Sequence, residues 1–171
     1  MAEAAAAAGR DAVAVLVIGV GNRLRADDGA GLEAVRRVRD RAPVDWLEVR
    51  ELRGDPTELL DVWLGREAVV LVDTMRSGAT PGTIVRLDAS HEPLPALERR
   101  GLSSTHATGL ADTIELARAL GRLPARVIVY AVEGRRYDAG AGLSREIAAM
   151  VPTLAERVLR EVGSLRSVTA Q

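Results

Sequence analysis

The sequence predicts an α/β fold, a three-layer α/β/α sandwich built around a mostly parallel, twisted sheet. Three continuous aliphatic runs, apolar on both faces, are typical of central strands in a parallel sheet: Val13–Val20, Ala68–Asp73 and Ala125–Val132. Segments with the helical spacing of apolar residues alternate with strands along the whole chain, which indicates helices on both faces of the sheet. At 171 residues, the chain is long enough to bury the core of one domain.

The elements of the first half follow in order. Ala30–Arg39 has apolar residues at helical spacing, and Val44–Glu51 alternates loosely as a second strand. Asp55–Glu58 reads Asp-Pro-Thr-Glu, which predicts an N-cap, a proline at the first helical position and a glutamate at the third. We expect this helix to end at Gly65.

The second half continues the alternation. Thr83–Leu87 is predicted as a less buried strand, and Thr108–Leu120 as a helix. The last helix is predicted over Ser144–Val162, with a bend or break at Pro152. We divide the chain into a disordered N-terminal lead-in (1–11), one domain (12–163) and a frayed C-terminal tail (164–171).

Composition excludes several classes of function. The chain has no cysteine, which excludes disulfides, a thiol nucleophile, thiolate zinc sites and iron–sulfur clusters. All its basic residues are arginine, so a Schiff-base lysine or a phosphate-binding lysine is also excluded. The formal net charge is −1 and the aromatic content is 2%, a balance that disfavours nucleic-acid binding.

The N-terminal region predicts a cytoplasmic protein without a membrane segment. Residues 1–10 are alanine-rich and contain Glu3, unlike the positively charged start of a secretory signal. The apolar run Ala12–Val20 is too short to span a bilayer. Because no heptad pattern or long apolar edge stands out, we expect a monomer.

Three polar groups are predicted at the carboxyl ends of the strands, where open α/β sheets bind ligands. They are the glycine-rich loop Gly19–Gly31, the carboxylate Asp73 and the imidazole of His106. The loop matches only two glycines of the dinucleotide-binding fingerprint, and its acidic pair Asp27 and Asp28 would repel a pyrophosphate. Nucleotide binding is therefore disfavoured, and so is a serine hydrolase, because Gly-x-Ser-x-Gly does not occur.

A metal site fits these groups better. Asp28, Asp73 and His106 offer two oxygens and one nitrogen, a set suited to nickel, zinc, manganese or iron, with positions left open for a substrate or water. Each residue also has a structural alternative. Asp28 could favour a helix N-terminus, Asp73 could cap a loop, and His106 could satisfy backbone groups. The second histidine, His91, is predicted to be a solvated loop residue.

The sequence resembles the hydrogenase maturation proteases in four motifs that follow the family's order from about Val13 to Val162. The most specific is Gly19-Val-Gly-Asn-x-Leu-x-x-Asp-Asp-Gly-x-Gly31. The others are Val72-Asp73 with Gly78-x-x-Pro-Gly82, then His106-x-x-Gly-Leu110, and a weaker match of Val132-Glu-Gly134 with Gly142-Leu-Ser144.

The resemblance implies an endopeptidase that trims the C-terminal extension of the nickel–iron hydrogenase large-subunit precursor after nickel insertion. It implies that Asp28, Asp73 and His106 contact nickel carried by that substrate, and that they are the catalytic residues. Some members have Glu where this chain has Asp28. Another divalent metal remains an alternative for the isolated protein.

Three residues of the first loop are predicted to bind the substrate: Gly21, Asn22 and Gly29. Gly21 and Gly29 would let the backbone approach a ligand closely, whereas Gly31 would permit tight packing of helix against strand. The alternative is that the glycines serve the turn alone.

Two alternatives to the maturation protease stay open at this point. A non-catalytic, nickel-checking chaperone could use the same three groups to bind the precursor without cutting it. A different peptidase on the same fold would instead hold a metal of its own.

Overall fold

The computed structural model describes residues 15–96, 101–102, 109–140 and 142–169. Five strands form one sheet in the order β2-β1-β3-β5-β4. Their bounds are Val15–Val20 (β1), Leu47–Leu52 (β2), Ala68–Met75 (β3), Ile84–Asp88 (β4) and Arg126–Glu133 (β5). The pairings of β1 with β2, β1 with β3 and β3 with β5 are parallel, and only the edge strand β4 is antiparallel to its neighbour.

Helices cover both faces of the sheet. Those with described bounds are Ala30–Arg41 (α1), Pro56–Val62 (α2), Leu110–Ala119 (α3) and Arg145–Thr169 (α4). One core cluster joins α1 and α4 to one face, and a second joins α2 and α3 to the other. The predicted α/β/α sandwich is therefore confirmed. None of the helices in the described ranges has the length and hydrophobicity needed to cross a bilayer.

Two glycines allow α1 to lie directly on the sheet. A Cβ at Gly31 would fall 2.4 Å from the carbonyl oxygen of Val72, and one at Gly19 would fall 2.9 Å from that of Gly31. Helix α1 can therefore approach β1 and β3 only because neither position has a side chain. The sequence-based prediction of tight packing at Gly31 is confirmed, and the close approach fixes the first turn of α1 at the end of β1.

Several predicted boundaries were wrong, including the start of β2, which is Leu47, and the end of α2, which is Val62. Asp73 does not end its strand, because β3 continues to Met75 alongside β5. The predicted tail from Ser164 is helical to Thr169, since buried Leu165 still packs on the core.

Pro152 does not break α4, which includes it. A proline there removes a hydrogen bond to the carbonyl of Ala148, a residue that is exposed to solvent. Burial of the neighbouring Val151 and Leu154 in the core offsets that loss.

Candidate active site at the carboxyl edge of the sheet

The loop after β1 is folded so that Asp28 faces the sheet edge. The side chain of Asn22 accepts the N–H of Leu24 at 3.0 Å, closing a turn, and a 3₁₀ turn follows over Ala26–Gly29. Gly21 has φ of 147°, and a Cβ on it would fall 1.9 Å from the carbonyl oxygen of Asp28. Only glycine can adopt this φ and leave room for the backbone of Asp28 at this distance.

Asp73 lies on β3 and is fully buried. Its Oδ1 accepts the N–H of Thr74 at 2.7 Å, while Oδ2 has no hydrogen-bond partner among the residues that the structure describes. Burial raises the pKa of Asp73 well above its ordinary value, and the negative charge of Asp28 raises it further, against the lowering effect of the Thr74 N–H. This carboxyl is therefore held in an environment that favours its neutral form.

The two predicted carboxylates interact electrostatically, since, beyond the effect of burial, the charge of Asp28 raises the pKa of Asp73. The hydroxyl of Thr74 donates to Asp28 Oδ1 at 3.5 Å, and Asp28 is itself 1% exposed. Buried carboxylates whose charges act on each other are stabilised by a nearby cation. A complete set of three metal ligands is not present within the described residues.

His106, the predicted third ligand, lies outside the described residues. Described residues on both sides of His106 lie at this edge of the sheet. The carbonyl oxygen of Gly101 accepts the N–H of Arg76, one residue beyond β3, at 3.1 Å. Three residues after His106, Gly109 is the N-cap of α3. Since α3 leads into the parallel strand β5, its N-terminus faces the same edge of the sheet. His91 is exposed, as predicted.

The three residues predicted to bind substrate line two cavities along the loop after β1, and Asp28 and Asp73 line neither of them. Gly21 and Asn22 line one of about 420 Å³, together with Leu24, and Gly29 lines another of about 380 Å³ beside Leu143. The contacts of Gly21 and Asn22 within their own loop give both a structural role. Their role in substrate binding stays a prediction.

Asp27 was not predicted as a site residue, although it is fully buried next to Asp28. Its carboxylate accepts the N–H groups of Arg135, Arg136 and Ser144. The available signal was the acidic pair in the first motif, together with Ser144 in the weaker fourth motif. The sequence could not show that these two motifs are in contact.

Glu133 and Tyr137 were also missed. Glu133, at the end of β5, accepts the N–H and hydroxyl of Ser77 and the N–H of Gly78, which holds the loop after β3. The Tyr137 hydroxyl donates to the carbonyl of Met75 at 2.7 Å. Glu133 belonged to the fourth motif, whereas no pattern indicated Tyr137.

The donor set suits a divalent cation. Asp73 Oδ2 is buried without a described partner and the charge of Asp28 acts on Asp73, so the two carboxylates and the predicted imidazole of His106 would offer oxygen and nitrogen ligands to an ion such as nickel.

Comparison with known proteins gives a consistent result. The family model described as "Hydrogenase maturation protease" matches residues 48–161. The hydrogenase 2 maturation protease of Escherichia coli K12 is 30% identical over 147 residues, which are 85% of this chain and 88% of that protein. The hydrogenase expression/formation protein HupD of Rhodobacter capsulatus is 30% identical over 151 residues, 86% of this chain and 70% of that protein.

Solved structures share the fold. The hydrogenase maturating endopeptidase HybD from E. coli has a TM-score of 0.70 and 27% identity, covering 88% of this chain and 92% of its own. The solution structure of an endopeptidase from Escherichia coli has a TM-score of 0.74 and 30% identity, covering 87% and 93%. With its fold, its sequence and its family match in agreement, this chain belongs to the hydrogenase maturation proteases, a family of endopeptidases.

Proposed function

We propose that this endopeptidase removes the C-terminal extension of a nickel–iron hydrogenase large-subunit precursor once nickel has been inserted. The observation that carries the proposal is the buried pair Asp28 and Asp73, in which Asp73 Oδ2 has no described partner. A buried carboxyl oxygen without a hydrogen bond costs free energy, and a cation brought by the substrate would repay that cost.

Nickel is part of the substrate in this proposal. Asp28, Asp73 and His106 complete its coordination when the precursor docks, and the bound metal positions the scissile bond at the sheet edge. A protease that waits for metal in its substrate needs an incomplete site of its own. Two carboxylates with a third ligand supplied from another part of the sequence are such a site.

The raised pKa of Asp73 gives this metal check a chemical basis. The neutral carboxyl must lose its proton to bind a cation, so nickel binding releases a proton from Asp73. Without a cation, burial and the charge of Asp28 favour the protonated form. The site therefore becomes charged when the metal arrives.

The test is the intact mass of a nickel-loaded large-subunit precursor before and after incubation with the protein, beside a nickel-free precursor. We expect loss of one C-terminal peptide in the nickel-loaded sample only. Cleavage of both samples would refute the metal check. Stable binding without cleavage would support the chaperone alternative, and neither cleavage nor binding would indicate a different substrate.

Matched variants test the three residues. Asp73→Asn and His106→Ala are expected to abolish cleavage. Their controls are Asp88→Asn, an aspartate at the opposite edge of the sheet, and His91→Ala, an exposed histidine. Normal processing by the first two variants would disprove the assignment of these residues. The cytoplasmic location and the monomeric state stay predictions from sequence.

A further inference from the structure

Asp27 is a buried carboxylate that the proposed metal chemistry does not use. It precedes Asp28 in the 3₁₀ turn, and its side chain is fully buried. Burying a carboxylate is unfavourable unless hydrogen bonds replace the lost water. The hydrogen bonds of Asp27 therefore indicate what this residue contributes to the folded structure.

Both oxygens of Asp27 are occupied by one loop. Oδ2 accepts the N–H of Arg135 at 2.8 Å, the N–H of Arg136 at 2.9 Å and the hydroxyl of Ser144 at 3.0 Å. Oδ1 accepts the N–H of Ser144 at 2.6 Å. Charge-assisted bonds from backbone donors are stronger and more directional than neutral ones. We call the segment between β5 and α4, residues 134–144 with 141 outside the described part, the clamp loop.

Further hydrogen bonds join the same two segments. The N–H of Asp27 donates to the carbonyl of Arg136 at 3.1 Å, so residues 27 and 136 are bonded in both directions. The N–H of Gly140 donates to the carbonyl of Leu24 at 3.2 Å. The turn that carries Asp28 is thus attached to the clamp loop at several points.

The first residues of the clamp loop are also attached to β3, the strand that carries Asp73. The N–H of Gly134 donates to the carbonyl of Met75 at 3.1 Å, and the Tyr137 hydroxyl donates to the same oxygen at 2.7 Å. The clamp loop therefore connects the backbone on which Asp28 sits with the backbone on which Asp73 sits.

We propose that Asp27 is a positioning residue that sets the geometry of Asp28 relative to Asp73 by fastening the 3₁₀ turn to the clamp loop. The proposal rests on the metal-dependent cleavage proposed above. Both oxygens of Asp27 already accept N–H or hydroxyl groups of the clamp loop, so the residue is not proposed as a metal ligand. It acts through the turn, as residues that orient metal ligands do.

The first test compares cleavage by Asp27→Asn with cleavage by the wild type. In Asp27→Asn one acceptor oxygen becomes an NH₂ group that faces N–H donors, so the turn loses its attachment. We expect kcat to fall about 10- to 100-fold, the range for residues that orient metal ligands. We expect KM to stay within about twofold, since the residue is buried away from the substrate.

The matched control is Asp88→Asn. Asp88 accepts the N–H of Ser90 at 2.9 Å, at the opposite edge of the sheet from the site. It should leave both kcat and KM unchanged. A change of KM alone in Asp27→Asn, or an unchanged kcat in a folded Asp27→Asn, would overturn the positioning role.

A milder pair of variants guards against misfolding of Asp27→Asn. Ser144→Thr keeps both the N–H and the hydroxyl and should retain activity, whereas Ser144→Ala loses the hydroxyl bond and should lower kcat by a few-fold. The double variant of Asp27→Asn and Ser144→Ala should have the same kcat as Asp27→Asn alone, because both substitutions break the same attachment between the turn and the clamp loop. Full additivity of the two effects would contradict the model of a single attachment.

Hydrogen exchange of the isolated protein provides a readout that does not depend on cleavage. Asp27→Asn should speed amide exchange in the turn 22–29 and in the clamp loop, and leave β1 and β3 unchanged. Unchanged exchange in the turn would overturn the inference even if no substrate were cleaved. A wild-type protein that cleaves nothing would instead refute the proposed function, and the exchange result would still decide the role of Asp27.

Discussion

The carboxyl edge of the sheet contains two kinds of buried carboxylate. Asp27 and Glu133 accept several N–H and hydroxyl groups from neighbouring loops, so their charges are offset inside the protein. Asp73 is just as buried but accepts one backbone N–H, and its second oxygen has no partner in the described part of the chain. The first kind holds loops in place, whereas we propose that the second binds the metal carried by the substrate.

The largest effect is expected at Asp73. Asp73→Asn keeps the size of the side chain but removes the charged ligand, so we expect cleavage of the nickel-loaded precursor to fall roughly 100-fold or more. The measurement is the initial rate of appearance of the processed large subunit. A rate near that of the wild type would mean that the available oxygen is not the functional one.

Glu133 tests the opposite kind of carboxylate. Glu133→Gln exchanges a charged acceptor of three donors for an amide, and we expect the free energy of unfolding to fall by about 1–3 kcal/mol. Chemical denaturation would measure it, and cleavage per folded molecule should fall less than in Asp73→Asn. An equally large loss of cleavage would break the distinction between holding a loop and binding the substrate.

The pH dependence of stability sharpens the comparison. The pKa of Asp73 is higher in the folded state than the ordinary 3.8, so its stabilising contribution is complete below that pH and is lost as pH rises through the folded pKa. Asp73→Asn has no carboxyl group to titrate at this position, so this loss of stability does not occur in the variant. It should be more stable than the wild type by roughly 0.5–2 kcal/mol at pH 8, in the range of single stabilising substitutions, and the gain should shrink toward pH 4.

Thermal unfolding of both proteins from pH 4 to pH 8 would check this expectation. The same raised pKa places the acid limb of the cleavage rate above pH 3.8, because only the deprotonated carboxylate binds a cation. If the stability difference between Asp73→Asn and the wild type instead grew as pH falls, Asp73 would not favour its neutral form in the folded protein.

The smallest effect is expected for a carboxylate on the surface. Glu156 pairs with Arg41 at 3.0 Å, and both side chains are more than half exposed to solvent. Glu156→Gln should change the free energy of unfolding by less than about 0.5 kcal/mol, since exposed pairs are screened by water and salt. Denaturant titrations at low and high salt would show any difference, and a loss as large as that for Glu133→Gln would mean that burial does not separate the two kinds.

Much of the fold could be predicted from local patterns. The continuous aliphatic runs gave β1, β3 and β5, because a strand that is buried on both faces has few polar positions. The N-cap at Asp55 was also predictable, and its side chain accepts the N–H groups of Thr57 and Glu58. The end of β3 could not be predicted, because residues 74 and 75 belong to the strand only through their pairing with β5.

The candidate site could be predicted in part. Asp28 and Asp73 were found from their positions after or within buried strands, and in the structure both are buried and the charge of Asp28 acts on Asp73. His106 lies outside the described residues, so its role stays a prediction. Asp27, Glu133 and Tyr137 escaped prediction because their partners are backbone groups far away in sequence, and a backbone N–H has no signature in the sequence.

The sequence by itself determined the α/β class, the glycines that let α1 pack on the sheet and the identity of the acids at the strand ends. These follow from local preferences for burial, backbone conformation and charge, which each residue type carries with it. The tertiary structure alone decided that both oxygens of Asp27 accept hydrogen bonds, whereas Asp73 Oδ2 accepts none from the residues that the structure describes. That difference depends on where the clamp loop passes, and the path of a loop between two packed layers is fixed only by contacts between residues more than a hundred positions apart.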